Sequence, residues 1–136
     1  MKRINFKNIS FNILALLVSV TLLVSCGKSN GGGTKPASTS HKIIYTATAT
    51  NGAVINAIVY SNADGQQTTQ TGLSVTTYTS PEITIPASLV TIFFVVQAAG
   101  TSSSSTVTTT ISVDGVVKET ITSSGIGISA QLHHNF

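Results

Sequence analysis

The stretch Thr106-Val107-Thr108-Thr109-Thr110-Ile111-Ser112-Val113-Asp114-Gly115-Val116-Val117 decides how this chain folds. Val107, Thr109, Ile111 and Val113 alternate with Thr106, Thr108, Thr110 and Ser112. A period of two puts the first set on the dry face of a β-strand and the second on its wet face. Asp114-Gly115 then separates this strand from another β-prone run. Asp-Gly suits a tight hairpin because both central residues must tolerate positive φ. The two runs are therefore expected to be antiparallel neighbours.

The same grammar extends outward. Asp64-Gly65 also sits between β-prone runs and is expected to form a second tight hairpin of the same kind. Short runs punctuated by turn residues predict strands at 43–50, 54–61, 67–73, 78–85, 89–98, 106–113, 116–122 and 126–132. No stretch carries a 3.6-residue apolar period. The run Leu89 to Val96 is apolar at both alternating sets of positions. It predicts a central strand covered on both faces, or one at a bend of the sandwich, because left exposed it would aggregate. Charged residues make up only 8% of the chain, and Ser, Thr, Val and Ile abound. The fold class expected is all-β: an Ig-like antiparallel β-sandwich of about seven to eight strands over residues 41–136.

What precedes the sandwich reads as targeting. Met1-Lys2-Arg3 and Lys7 give a basic start, residues 11–24 are largely apolar, and Leu23-Val24-Ser25-Cys26 reads as a lipobox. The apolar run is short for a spanning helix, which needs about 20 residues. Residues 1–25 are thus expected to be a lipoprotein signal peptide cut between Ser25 and Cys26, the only cysteine. The Cys26 thiol would carry a diacylglyceryl group, and the new amine a further acyl chain such as palmitate. Several chains anchor far more firmly than one, at about 0.8 kcal/mol per buried methylene. Residues 26–40 are Gly/Ser/Thr/Lys-rich and read as the lipidated cysteine and a linker, with a span of roughly 20 Å root mean square and about 45 to 50 Å when taut. Gly31-Gly32-Gly33 lacks the strand, helix and Lys-Ser/Thr ending of a phosphate cradle. Gly27 in place of Asp argues against inner-membrane retention, so the expected location is the cell envelope, lipid-anchored at the outer membrane, on its periplasmic face or at the cell surface.

The net charge of +3 belongs to the signal. Beyond residue 25, Lys28, Lys35, Lys42 and Lys118 balance Asp64, Glu82, Asp114 and Glu119. Scattered lysines do not make the basic patch that displaces phosphate counterions, so nucleic acid is not an expected partner. A lone cysteine excludes an internal disulfide and multi-cysteine metal motifs. Asp64 and Asp114 are explained as turn residues, Glu82 follows Pro81 at a strand start, and Glu119 is expected on a water-facing strand. There is no Gly-x-Ser-x-Gly elbow. The candidate bases are His41, at the end of the linker, and His133-His134, read as a solvated tail whose neighbouring side chains point to opposite faces. No catalytic residue, cofactor or metal is expected.

From Ile55 onward, the order of features resembles the mycobacterial membrane protein small (MmpS) family and its Ig-like relatives. The matching pieces are Ile58-Val59-Tyr60-Ser61-Asn62-Ala63-Asp64-Gly65, the Gln/Thr stretch from Gln66 to Thr71, a β segment closing at Pro86, and Gln97-Ala98. Ile111-Ser112-Val113-Asp114-Gly115-Val116-Val117 and Ser123-Ser124-Gly125 follow. The family carries a transmembrane helix where this chain has the lipobox, a Cys where it has Thr109, and a Trp that it lacks. The resemblance implies a β-sandwich serving as a periplasmic accessory to transporters of the resistance-nodulation-division (RND) class. The function expected is a lipid-anchored envelope binding or accessory protein, membrane-held through its covalent lipid and contacting an envelope protein through its Thr/Ser rows or an unpaired sheet edge. The alternative is a surface adhesin or glycan-binding module.

Overall fold

The computed structural model describes residues 39–136. They form nine strands and no helix: β1 (His41–Thr50), β2 (Val54–Ser61), β3 (Gln67–Val75), β4 (Thr77–Thr79), β5 (Ile83–Ile85), β6 (Thr91–Ala99), β7 (Thr106–Val113), β8 (Val116–Ser124) and β9 (Gly127–Asn135). One sheet, sheet A, runs β4-β1-β7-β8, with β5 beside β4 on the same edge of β1; the other, sheet B, runs β3-β2-β6-β9. Every pairing is antiparallel. The described residues form the all-β sandwich that the alternation predicts.

The core is the set of inward positions. Ile43, Tyr45, Ala47 and Ala49 of β1 and Val107, Thr109, Ile111 and Val113 of β7 face Ile92, Phe94, Val96 and Ala98 of β6 and Ile128, Ala130 and Leu132 of β9. In β2, Ile55 and Ile58 are both buried although three residues apart. A bulge between Ile55 and Ala57 supplies the extra residue that returns Ile58 to the dry face. Tyr45 lies against Tyr60 and Phe94, with ring centroids 5.2 and 5.1 Å apart. Its hydroxyl donates to the Ser61 carbonyl at 3.1 Å. Burial pushes the Tyr45 pKa well above the ordinary phenol value.

Four expectations need correction. The single strand at 78–85 is two strands, because Pro81 has no N–H to donate. Ser80 bridges the break: its Oγ accepts from the Tyr45 N–H at 3.0 Å, and its own N–H donates to the Tyr45 carbonyl at 2.9 Å. The strand expected at 89–98 begins at Thr91, since the Leu89 N–H turns back to the Pro86 carbonyl at 3.0 Å. It is central within its sheet, but only its inner face is fully buried; Phe93 and Val95 on the outer face are half-buried. Asp64-Gly65 does not form a two-residue hairpin. Gly65 alone has positive φ, and the loop spans residues 62–66, held by the Asn62 side chain accepting from the Asp64 and Gln66 N–H groups. Ile126 lies outside β9, which starts at Gly127. The Asp114-Gly115 hairpin is as expected, with φ of 52° and 79°.

Candidate functional site

Two surfaces gather the polar groups. The first is the outer face of sheet A. Because the inward residues of β1 and β7 are fixed by the core, Thr46, Thr48 and Thr50 of β1 must face outward together with Thr106, Thr108 and Thr110 of β7. The register aligns them in ranks: Thr46 lies beside Thr110, Thr48 beside Thr108 and Thr50 beside Thr106. Thr120, Thr122 and Ser124 of β8 extend these ranks on one side, and Thr77 and Thr79 of β4 on the other. Hydroxyls join across strands in Thr46–Thr110, Thr50–Thr106 at 2.6 Å and Thr108–Thr122 at 2.8 Å. Each such pair contributes about 0.2 to 1 kcal/mol and still leaves hydrogen-bonding capacity for a partner.

The second surface is the end of the sandwich where β1 begins. There β7 ends opposite the start of β1, β9 ends opposite the start of β6, and the Phe136 ring stacks on His41 at 4.8 Å to bring the two sheets together. His41 Nδ1 lies 2.7 Å from Asp114 Oδ2, and the Lys42 N–H donates to Asp114 Oδ1 at 2.9 Å. The His41 hydrogen bond, ahead of the Lys42 N–H, holds the Asp114 carboxyl below its ordinary value. Lys42 Nζ sits 2.7 Å from Glu82, whose hydrogen bond raises the ammonium pKa. Across the opening between the sheets, His134 Nδ1 lies 2.9 Å from Glu119 Oε1, and the His134 ring meets Phe136 edge-on at 4.9 Å.

This corrects two assignments. His41 belongs to β1 and is bonded, and His133 and His134 lie within β9. Glu119 lies on mostly exposed β8, but it pairs in register with buried Ile111 and so leans to the inner side of its sheet, where its side chain stays partly exposed. Only His134 follows the inward period of Ile128, Ala130 and Leu132; His133 points outward, near Phe93. That period was the signal available in the sequence, and the apparent tail obscured it. Asp114 and Gly115 are turn residues as expected, with Asp114 additionally bonded to β1, whereas Asp64 and Gly65 lie in the separate β2–β3 loop. Ser25 and Cys26 fall outside the described residues. Among the described residues, no three His, Cys, Asp or Glu side chains form a metal-holding group.

The opposite end was missed altogether. Ser105 is fully buried; its Oγ donates to the Asn51 carbonyl at 2.7 Å and accepts from the Thr101 and Ser102 N–H groups at 3.0 and 3.1 Å. Asn51-Gly52, with φ of 51° and 76°, turns the chain from sheet A to sheet B. The Asn-Gly pair marked that turn in the sequence, but nothing marked Ser105 among its serine neighbours. No protein-family model matches the chain, and no curated protein matches it.

Proposed function

We propose that this chain is a lipid-anchored accessory protein of the cell envelope, attached through Cys26, that binds an envelope protein through the outer face of sheet A. The observation carrying this reading is the in-register hydroxyl array on β4, β1, β7 and β8. The array is uncharged, so recognition rests on hydrogen bonds and methyl packing and is insensitive to salt. A transporter of the RND class, as the MmpS resemblance implies, is the specific partner we favour. The lipobox supports the anchoring half of the proposal.

The test is site-specific photo-crosslinking in intact cells, with the crosslinker at Thr108 or at Thr69, an exposed residue on β3. A discrete protein adduct at position 108, absent at 69 and reduced in Cys26→Ser, is expected. Equal adducts at both positions would overturn the choice of face. An adduct made of polysaccharide would replace the reading with the adhesin alternative.

A further inference from the structure

Among the described residues, four of the seven exposed large apolar side chains lie at the end where β1 begins. Val90, Val116, Val117 and Phe136 are 67%, 55%, 57% and 42% exposed. They are linked in space. The Val90 carbonyl accepts the Phe136 N–H at 3.1 Å, and Phe136 stacks on His41. His41 in turn bonds Asp114, in the hairpin that leads into Val116 and Val117. An apolar patch bounded by polar groups marks a contact surface. The described residues also begin at this end, with residues 39 and 40 leading into His41.

We propose that this end of the sandwich is a membrane-seating surface, on which Val90, Val116, Val117 and Phe136 enter the headgroup boundary of a zwitterionic bilayer. The inference rests on the reading of Cys26 as the lipid-attachment site. A linker of this length holds the domain within a few tens of ångströms of the lipid, at an effective concentration of order millimolar. Contact too weak to bind a free domain is then enough to seat a tethered one. Charge selects the lipid. The carboxylates near this end are partnered, Glu82 by Lys42, Asp114 by His41 and Glu119 by His134, and Asp64 lies in the neighbouring β2–β3 loop. Lys42 and Lys118 are outnumbered here by Asp64, Glu82, Asp114 and Glu119, so no excess of positive charge attracts anionic headgroups and the contact is apolar. Seated this way, the hydroxyl face of sheet A stands up from the bilayer and the Ser105 end points away from it.

The experiment compares two tryptophan reporters in the full, membrane-extracted chain, which has no native Trp. Val116→Trp reports on the proposed surface, and Ile126→Trp on the opposite end, where Ile126 is 68% exposed and its carbonyl accepts the Gly100 N–H. Each is reconstituted into phosphatidylcholine vesicles carrying acyl-brominated lipid, after intact mass has been recorded. We expect acylation at residue 26, a blue-shifted V116W emission quenched several-fold more than that of I126W, and the same result for Val90→Trp. Acylated chains with water-like, unquenched V116W and V90W would overturn the seating surface while leaving the anchor standing. A blue shift without quenching would assign the patch to a second copy or protein partner and overturn the proposal, as would equal quenching of both ends. An unacylated chain would remove the anchor and this inference with it.

Discussion

The two ends of the sandwich are closed by different chemistry. Where β1 begins, closure depends on side chains: His41 with Asp114, His134 with Glu119, and Phe136 between the two imidazoles. At the far end it depends on uncharged hydrogen bonds around Ser105 and on close backbone approach, with the Gly100 N–H donating to the Ile126 carbonyl at 2.6 Å and the Gly125 N–H to the Ser105 carbonyl at 3.0 Å. Desolvated, geometrically fixed bonds are costly to lose, whereas partly exposed ion pairs are screened and individually weak. The far end should therefore set stability, and the near end should tune it with pH.

The largest effect is expected at Gly100. A Cβ there would collide with the Gly125 carbonyl oxygen and lie 2.6 Å from the Ser105 Cβ. Gly100→Ala should cost about 3 kcal/mol in urea unfolding, and a loss under 1 kcal/mol would show the far end to be pliable. Ser105→Ala leaves the Thr101 and Ser102 N–H groups and the Asn51 carbonyl without their partner. It should cost about 2 kcal/mol by the same measurement, independent of pH because none of these groups titrates.

At the near end the effects are smaller and depend on conditions. Glu119 is more than a third exposed, so Glu119→Gln should cost about 0.5 kcal/mol or less. A cost as large as that of Ser105→Ala would erase the contrast between the ends. The smallest effect, and the most diagnostic, is that of Asp114→Asn. Because the folded carboxyl titrates below its ordinary value of 3.8, its contribution is present above that value and lost as pH falls through the lower folded pKa. Thermal melts of wild type and D114N should differ at neutral pH and converge in strong acid. Parallel curves down to the lowest pH would mean that the His41–Asp114 bond contributes nothing to folding.

The contrast also separates what the sequence makes legible from what it hides. β2 and β7 begin and end where β-prone runs and turn residues place them, because those signals are local. The Asp114-Gly115 turn is legible for the same reason: its backbone requirement lies in two adjacent residues. Ser105 was invisible because its partner Asn51 is 54 residues away and serine carries no burial preference strong enough to single it out. The His134–Glu119 pair was hidden by the reading of His133-His134 as a tail, which only sheet packing reverses. Pro81 was in plain view, but its consequence depended on β1 being the strand it failed to bond. The hydroxyl rows could be read strand by strand, while their assembly into one array required the order β4-β1-β7-β8.

The break at Pro81 has a consequence for how copies of this chain can meet edge to edge. Sheet A ends on one side in two three-residue strands separated by Ser80, Pro81 and Glu82, and on the other in β8, whose register with β7 slips between Ile111 and Ser112. The side formed by β4 and β5 offers no long regular ladder for another chain to extend. On that side this interrupts the edge-to-edge pairing that a Thr- and Val-rich sheet would otherwise template. A second copy approaching that side meets three-residue segments in place of a strand it could extend.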